Sequence, residues 1–227
     1  TNAELNNAYL AGTKFINATM NKVDLRNASP EGPYTLCPDD TRSLGWTKKG
    51  DKFPDFTRPQ KLAIPAIMDR KHLLLCSPTG SGKTLTAFLT VIDKLVRMAL
   101  DGKLKKKVHC VYISPIKALA NDIQRNLIGP LTEISERYLP DRAQEIKVGL
   151  RTGDTPQSER QRMLKHPPHI LITTPESLAI AITSPRFQPI VSELEYMIVD
   201  ELHSLVPTKR GVHLGLTLSY LDTLLQR

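Results

Sequence analysis

Two hydrophobic periods divide the chain. From Ala3 to Leu25 a large apolar residue stands at every fifth position: Leu5, Leu10, Phe15, Met20 and Leu25. Two positions ahead of each stands a small one, Ala3, Ala8, Thr13, Ala18 or Val23, and polar residues, many of them Asn, fill the rest. A period of five fits neither a helix nor a strand. It suits a β-solenoid whose short faces turn corners with the large apolar residue pointing inward, although a disordered Asn-rich leader stays open as the alternative. Between Ser29 and Asp55 the period is lost, and Pro30, Gly32, Pro33, Pro38, Gly45, Gly50 and Pro54 mark a linker with Trp46 and Phe53 as apolar anchors.

From Phe56 the pattern changes to apolar runs alternating with amphipathic stretches. His72–Cys76, Val108–Ser114, Ile146–Leu150, His169–Thr173 and Tyr196–Asp200 read as strands. Lys61–Met68, bent at Pro65, together with Thr84–Leu100, Ile116–Leu127, Gln157–Lys165, Glu176–Ile182 and Val212–Gln226, reads as helices. Apolar strands separated by helices imply an α/β fold with a mostly parallel sheet covered on both faces. The expected organisation is a repeat segment over 1–28, a linker over 29–55 and an α/β domain over 56–227.

The 227 residues leave room for one such domain and a smaller attachment. No apolar run approaches the roughly 20 residues of a membrane-spanning helix, and the first residues lack the basic start and apolar core of a secretory signal. Absence of an initiator Met is what a piece of a longer protein would show. Cys37, Cys76 and Cys110 are scattered, which argues against a zinc cluster or a disulfide framework and fits a reducing cytosol. A formal charge of +8 favours a polyanionic partner such as nucleic acid. The densest basic run, Lys103–Lys107, has the composition of a solvated loop and could also touch phosphate.

The stretch Ser77-Pro78-Thr79-Gly80-Ser81-Gly82-Lys83-Thr84 follows one apolar run and opens a helix. That is the context of a phosphate-binding loop, with Ser77 where the simplest form carries Gly. Its glycines allow close backbone approach, so N–H groups of Thr79, Gly80, Ser81 and Gly82 can face phosphates at a helix N-terminus. Lys83 would reach the β- and γ-phosphates of ATP, and the Thr84 hydroxyl would ligate Mg²⁺. Downstream, Tyr196–Val199 ends in Asp200-Glu201-Leu202-His203. A strand-end Asp can hold Mg²⁺ and the following Glu can polarise an attacking water, while an Asp that merely caps a helix is the ordinary alternative. His203 would couple this site to a partner domain, or serve structure alone.

Taken in order, these segments resemble the first motor domain of a superfamily-two helicase of the DExH type, and within that group the large helicase-related (Lhr) family near the Ski2-like branch. Ser77–Thr84 resembles motif I and Asp200–His203 motif II. Phe56–Gln60 is similar to a Q-motif, which implies that Gln60 reads the adenine edge. Ser114–Asp122, Arg151–Pro156 and Thr173–Leu178 resemble motifs Ia, Ic and Ib. Each places small hydroxyl or amide residues where a strand meets a helix, and backbone N–H groups there can bind phosphates without reading bases. Lys117, Arg151, Thr152, Gly153 and Thr174 are the candidates for a strand-backbone track. Each could instead serve a turn, and Thr174 before Pro175 is a good helix start. Arg210 in Arg210-Gly211-Val212-His213 either touches nucleic acid or fixes its loop. The repeat resembles the pentapeptide-repeat family, which implies a square right-handed β-helix.

The resemblance implies a RecA-like fold, ATP and Mg²⁺ as cofactors, and ATP-driven translocation on DNA or RNA with duplex separation. Glu201 and Lys83 would be catalytic and Asp200 would join Thr84 at the metal. The chain stops before the Ser-Ala-Thr segment of motif III, so a second RecA-like domain with its arginine fingers lies outside it. Weak ATP binding, little hydrolysis and no unwinding are expected of this polypeptide alone, because an arginine finger is worth about 10³–10⁵ in turnover. An ATP-binding switch, or an interaction module built on the repeats, is the other class of function.

Overall fold

The computed structural model describes residues 57–78, 81–138 and 146–225, with two short strands near the amino terminus. Those strands, β1 (Ala3–Glu4) and β2 (Val23–Asp24), pair in parallel with Ala3 opposite Val23. The partners lie twenty residues apart, which is four units of the five-residue repeat. The linker expected over 29–55, with Cys37, Trp46 and Phe53, lies outside the described residues.

Helix α1 (Arg58–Met68) starts after Thr57, with Pro59 in the first turn where a missing N–H costs nothing. It continues through Pro65 because Ala63, Ile64, Ala66 and Ile67 are buried around it. The order then runs α2 (Lys83–Leu100), β3 (Cys110–Ile113), α3 (Lys117–Tyr138), β4 (Val148–Arg151), α4 (Gln157–Lys165), β5 (Ile170–Thr173), α5 (Pro175–Ile182), β6 (Tyr196–Val199), α6 (Leu202–Leu205) and α7 (Lys209–Leu225).

The four longer strands form one parallel sheet in the order β4-β5-β3-β6. Their side chains alternate between two cores. Cys110, Tyr112, Ile170, Ile172, Tyr196 and Ile198 join residues of α1, α2 and α3, including Ile67, Phe88, Leu95 and Leu127. Val111, Ile113, Leu171, Met197 and Val199 join residues of α5 and α7, including Leu178, Ile182, Leu214 and Leu218. Full burial of one such side chain is worth about 1.5–3 kcal/mol, so apolar residues on both strand faces select the helix-covered arrangement.

Two expectations need correction. His72–Cys76 carries no ladder pairing; Leu73 and Leu75 pack into the first core while His72 and Cys76 are exposed. A short apolar run reports burial, and burial does not require backbone pairing. Helix α3 also passes the expected end at Leu127 and runs through Gly129 and Pro130 to Tyr138. Leu127 and Leu131, one turn apart, are both buried, so packing carries the helix past two breakers.

Register sets the height of the functional edge. Ile113 lies opposite both Thr173 and Val199, and Thr173 lies opposite Arg151. The four strands therefore end level, and Ser114, Thr152, Thr174 and Asp200 all emerge from the same carboxyl edge. In parallel sheets ligands bind at that edge.

Candidate functional site

The phosphate loop is held by the segment before α1. The Thr57 N–H donates to Gln60 Oε1 at 2.8 Å, and Thr57 Oγ1 donates to the Ser81 carbonyl at 2.9 Å. Gly82 has φ of 84°, and a Cβ placed there would come within 2.9 Å of Gln60 Nε2. The left-handed backbone favours glycine at this position, and any side chain there would also displace the Gln60 amide. The buried Lys83 ammonium donates to the carbonyls of Ser77 (2.7 Å) and Pro78 (2.9 Å), inside its own loop. Ser77, the departure from the simplest motif, has its hydroxyl 2.6 Å from that of Ser81 and so braces the turn. Thr79 and Gly80 lie outside the described residues.

Asp200 is buried where β6 ends. The Tyr112 hydroxyl of β3 donates to its Oδ2, and the same hydroxyl is hydrogen-bonded with the Thr84 side chain of α2. Three elements thus converge on one phenol, whose ring stacks on Phe88 with centroids 5.1 Å apart. Burial pushes the Asp200 carboxyl above its ordinary range, and the Tyr112 hydrogen bond opposes the shift. Burial and the Asp200 charge push the Tyr112 phenol up, so it remains a donor at neutral pH.

The Glu201 N–H donates to Asp200 Oδ1 at 2.9 Å, and Glu201 itself adopts φ of 48°. A left-handed conformation in a residue with a side chain costs roughly 1–2 kcal/mol. That turn directs the Glu201 carboxylate to half-exposed surface, 3.2 Å from His203 Nδ1.

The other three loops are tied to one another. Lys117 Nζ lies 2.7 Å from Asp154 Oδ1 and close beside Gly153, linking the loops after β3 and β4. Arg160 of α4 donates to the carbonyls of Thr155 (2.9 Å) and Gly153 (2.9 Å), fixing the second loop from behind. Thr152 is buried, and its N–H donates to Thr155 Oγ1 at 2.8 Å. Thr174 is buried at the start of α5 with its hydroxyl donating to Ser177 Oγ at 3.1 Å. Arg151 stands apart from these: it is buried, with its guanidinium carbon 5.1 Å from the centre of the Phe187 ring. Arg210 donates from Nε to Glu176 Oε1 (2.5 Å) and from Nη2 to Glu176 Oε2 (3.2 Å) and the Pro115 carbonyl (2.6 Å).

Lys83, Thr84, Asp200 and Glu201 are thereby brought together with Gln60 on one side and Lys117, Gly153 and Thr174 along the same edge. Oxygen donors from Thr84 and Asp200 share one bridging hydroxyl, which fits a small hard cation that keeps waters and takes one or two protein oxygens. Among the described residues no cluster of three or more His, Cys, Asp or Glu could hold a metal ion. Tyr112, Arg160 and Glu176 were not singled out from sequence. Tyr112 reads as one more apolar strand residue; the signal that could have found it is a hydroxyl one residue before the strand end in a sheet whose neighbour ends in Asp.

A family model described as DEAD/DEAH box helicase matches residues 57–226. The chain belongs to that family. A second model, pentapeptide repeats, matches residues 1–29. The ATP-dependent helicase Lhr-Core of Methanocaldococcus jannaschii is 51% identical over 179 residues, covering 78% of this chain and 21% of that protein. The protein of the same name from Methanothermobacter thermautotrophicus is 54% identical over 173 residues, covering 76% and 20%. Among solved structures, helicase Lhr of Mycobacterium smegmatis bound to ssDNA and AMP-PNP matches with a TM-score of 0.68 and 44% identity, over 77% of this chain and 22% of that one. The chain thus spans about a fifth of the length of these relatives. Its parallel sheet with helices on both faces is the RecA-like fold expected from the motifs, and the Lhr resemblance holds.

Proposed function

We propose that residues 56–227 are the first ATP-binding motor domain of an Lhr-type helicase, which couples ATP hydrolysis to translocation along a nucleic-acid strand and to duplex separation. Residues 1–28 are its repeat attachment and 29–55 the linker. The single observation that carries this reading is the Tyr112 hydroxyl shared by Thr84 and Asp200. An Mg²⁺–ATP complex needs those two oxygen donors side by side, and they come from the two motifs that sequence assigns to it.

In this reading Gln60 meets the adenine edge, and Lys83 leaves the Ser77 and Pro78 carbonyls for the β- and γ-phosphates, a short movement of one flexible side chain. Thr79 to Gly82 offer backbone N–H groups to the same phosphates. Thr84 and Asp200 hold Mg²⁺, which supplies charge neutralisation across the phosphates. Glu201, turned out by its left-handed backbone, orients and deprotonates the attacking water, and His203 holds the Glu201 carboxylate and links it to the second RecA-like domain. Lys117, Thr152, Gly153 and Thr174 contact strand phosphates; Arg151 supports the Thr152 loop from within. The single-stranded DNA and AMP-PNP bound by the Mycobacterium smegmatis relative support both ligand classes. Cytoplasmic residence belongs to the same reading, since Cys76 and Cys110 are free thiols and no helix of the described residues is long and apolar enough to cross a membrane.

The test is titration of a fluorescent ATP analogue with Mg²⁺ into the chain and its Lys83→Ala variant, with and without single-stranded oligonucleotide. Saturable binding weakened at least roughly tenfold in the variant, and shifted by the oligonucleotide, is expected. Equal signals from both proteins would remove the ATP reading. Binding indifferent to oligonucleotide would leave an ATP switch instead of a motor.

A further inference from the structure

Arg210 occupies a place that the sequence left open between strand contact and loop support. Its guanidinium spends three hydrogen bonds on protein groups, two on the Glu176 carboxylate and one on the Pro115 carbonyl. Pro115 begins the loop that carries Lys117 at the start of α3, and Glu176 sits in the first turn of α5, two residues after Thr174. One side chain therefore spans the loops after β3 and β5. Forked planar geometry suits this task, because a guanidinium can hold a carboxylate through two donors and still serve a third acceptor. The Glu176 carboxyl is held below its ordinary range, first by the Arg210 hydrogen bond.

Gly211 explains how Arg210 arrives there. A Cβ at position 211 would run into the Leu205 carbonyl at the end of α6. Only glycine lets the first turn of α7 close onto α6, and that contact aims Arg210 across the sheet edge.

We propose that Arg210 is a positioning residue that clamps the Pro115 loop to the first turn of α5, so that Lys117 and Thr174 form one rigid phosphate-binding edge. It acts through Glu176 and the Pro115 carbonyl and does not itself touch the strand. Its effect on strand binding rests on the helicase reading above; the clamp itself does not.

Two measurements separate these levels. Hydrogen exchange on the full chain and on Arg210→Ala tests the clamp. Faster exchange confined to the amides of Ile116, Lys117, Glu176 and Ser177 is expected; unchanged exchange there, or equal acceleration throughout β3 and β5, overturns it. Binding of an oligo-dT single strand by wild type, Arg210→Ala, Glu176→Ala and the double variant tests its use. A positioning role makes both single variants weaker by about tenfold and the double variant no worse than either. A direct contact makes the opposite prediction for Glu176→Ala, because removing an acid beside a phosphate-binding arginine tightens binding. Tighter or unchanged binding by Glu176→Ala therefore overturns the proposal. Failure of the wild type to bind oligo-dT would count against strand contact by this edge, while the exchange result would still decide the clamp.

Discussion

The nucleotide half and the strand half of the carboxyl edge are built from different materials. Around Asp200 the groups are few, Asp200 and Tyr112 are buried, and the half-buried Thr84 joins them through the Tyr112 hydroxyl. Along the strand loops Thr152 and Thr174 are buried too, but the links from one loop to the next are ion pairs at the surface, with the side chains of Lys117 and Asp154 50% and 75% exposed and those of Arg210 and Glu176 43% and 48%. Removing one partner of a buried polar pair costs the desolvation of what is left, whereas an exposed ion pair contributes little to stability. Stability should therefore be sensitive in the first half and tolerant in the second, where alterations show up in binding.

Burial alone does not mark function, and the opposite edge of the sheet is the control. His109 and His169 are buried at the amino ends of β3 and β5 with ring centres 6.1 Å apart, and His169 Nδ1 accepts from the Lys147 N–H at 2.9 Å. Burial, then His109 and Lys147, push His169 down to about 4 from its ordinary 6.5. The folded state resists a proton that the unfolded chain accepts. The stability it contributes is thus full above pH 6.5 and is lost as pH falls through about 4. The full loss corresponds to roughly 3 kcal/mol, the largest of the expected effects. Thermal melts between pH 7 and 4 should show it, and His169→Asn, which keeps an acceptor for Lys147, should flatten the profile. A profile identical in the variant would place the acid-sensitive group elsewhere.

Next in size is Tyr112→Phe. It removes the donor to a buried carboxylate and the partner of Thr84, at a cost of about 1–3 kcal/mol in denaturant unfolding. A second readout is the Mg²⁺ concentration needed for ATP-analogue binding, which should rise. If the variant unfolds like wild type, Asp200 finds another partner and the contrast between the two halves weakens.

Asp154→Asn is the smallest. Freeing Lys117 from an exposed pair should change unfolding by less than about 1 kcal/mol. Oligonucleotide binding should tighten two- to threefold, roughly the effect of one less acid near phosphate. A loss of stability as large as that of Tyr112→Phe would break the comparison outright.

Local rules carried much of this molecule into view. A period of five was legible at Leu5 to Leu25, and its register of twenty residues returns in the pairing of Ala3 with Val23. Gly82 and Lys83 could be placed because a left-handed turn before a helix leaves few residue choices. Most strands and helices lay within a few residues of their expected bounds, since apolar runs and helical spacing report where side chains are buried. Where packing overrode local preference, at Gly129-Pro130 in α3 and at the unpaired His72–Cys76, the same signals misled.

What only the tertiary structure decided is which distant side chains meet. The sequence determined the edge of the sheet, the glycine turn and the order of the motifs, all consequences of backbone sterics and hydrophobic period within a few residues. Tyr112 finding Asp200 and Thr84, Arg210 finding Glu176 and Pro115, and Arg151 turning onto Phe187 depend on strand order and register. Hydrogen bonds and ion pairs act over a few ångströms, so no spacing along the chain encodes a contact between residues that only the folded sheet brings within reach.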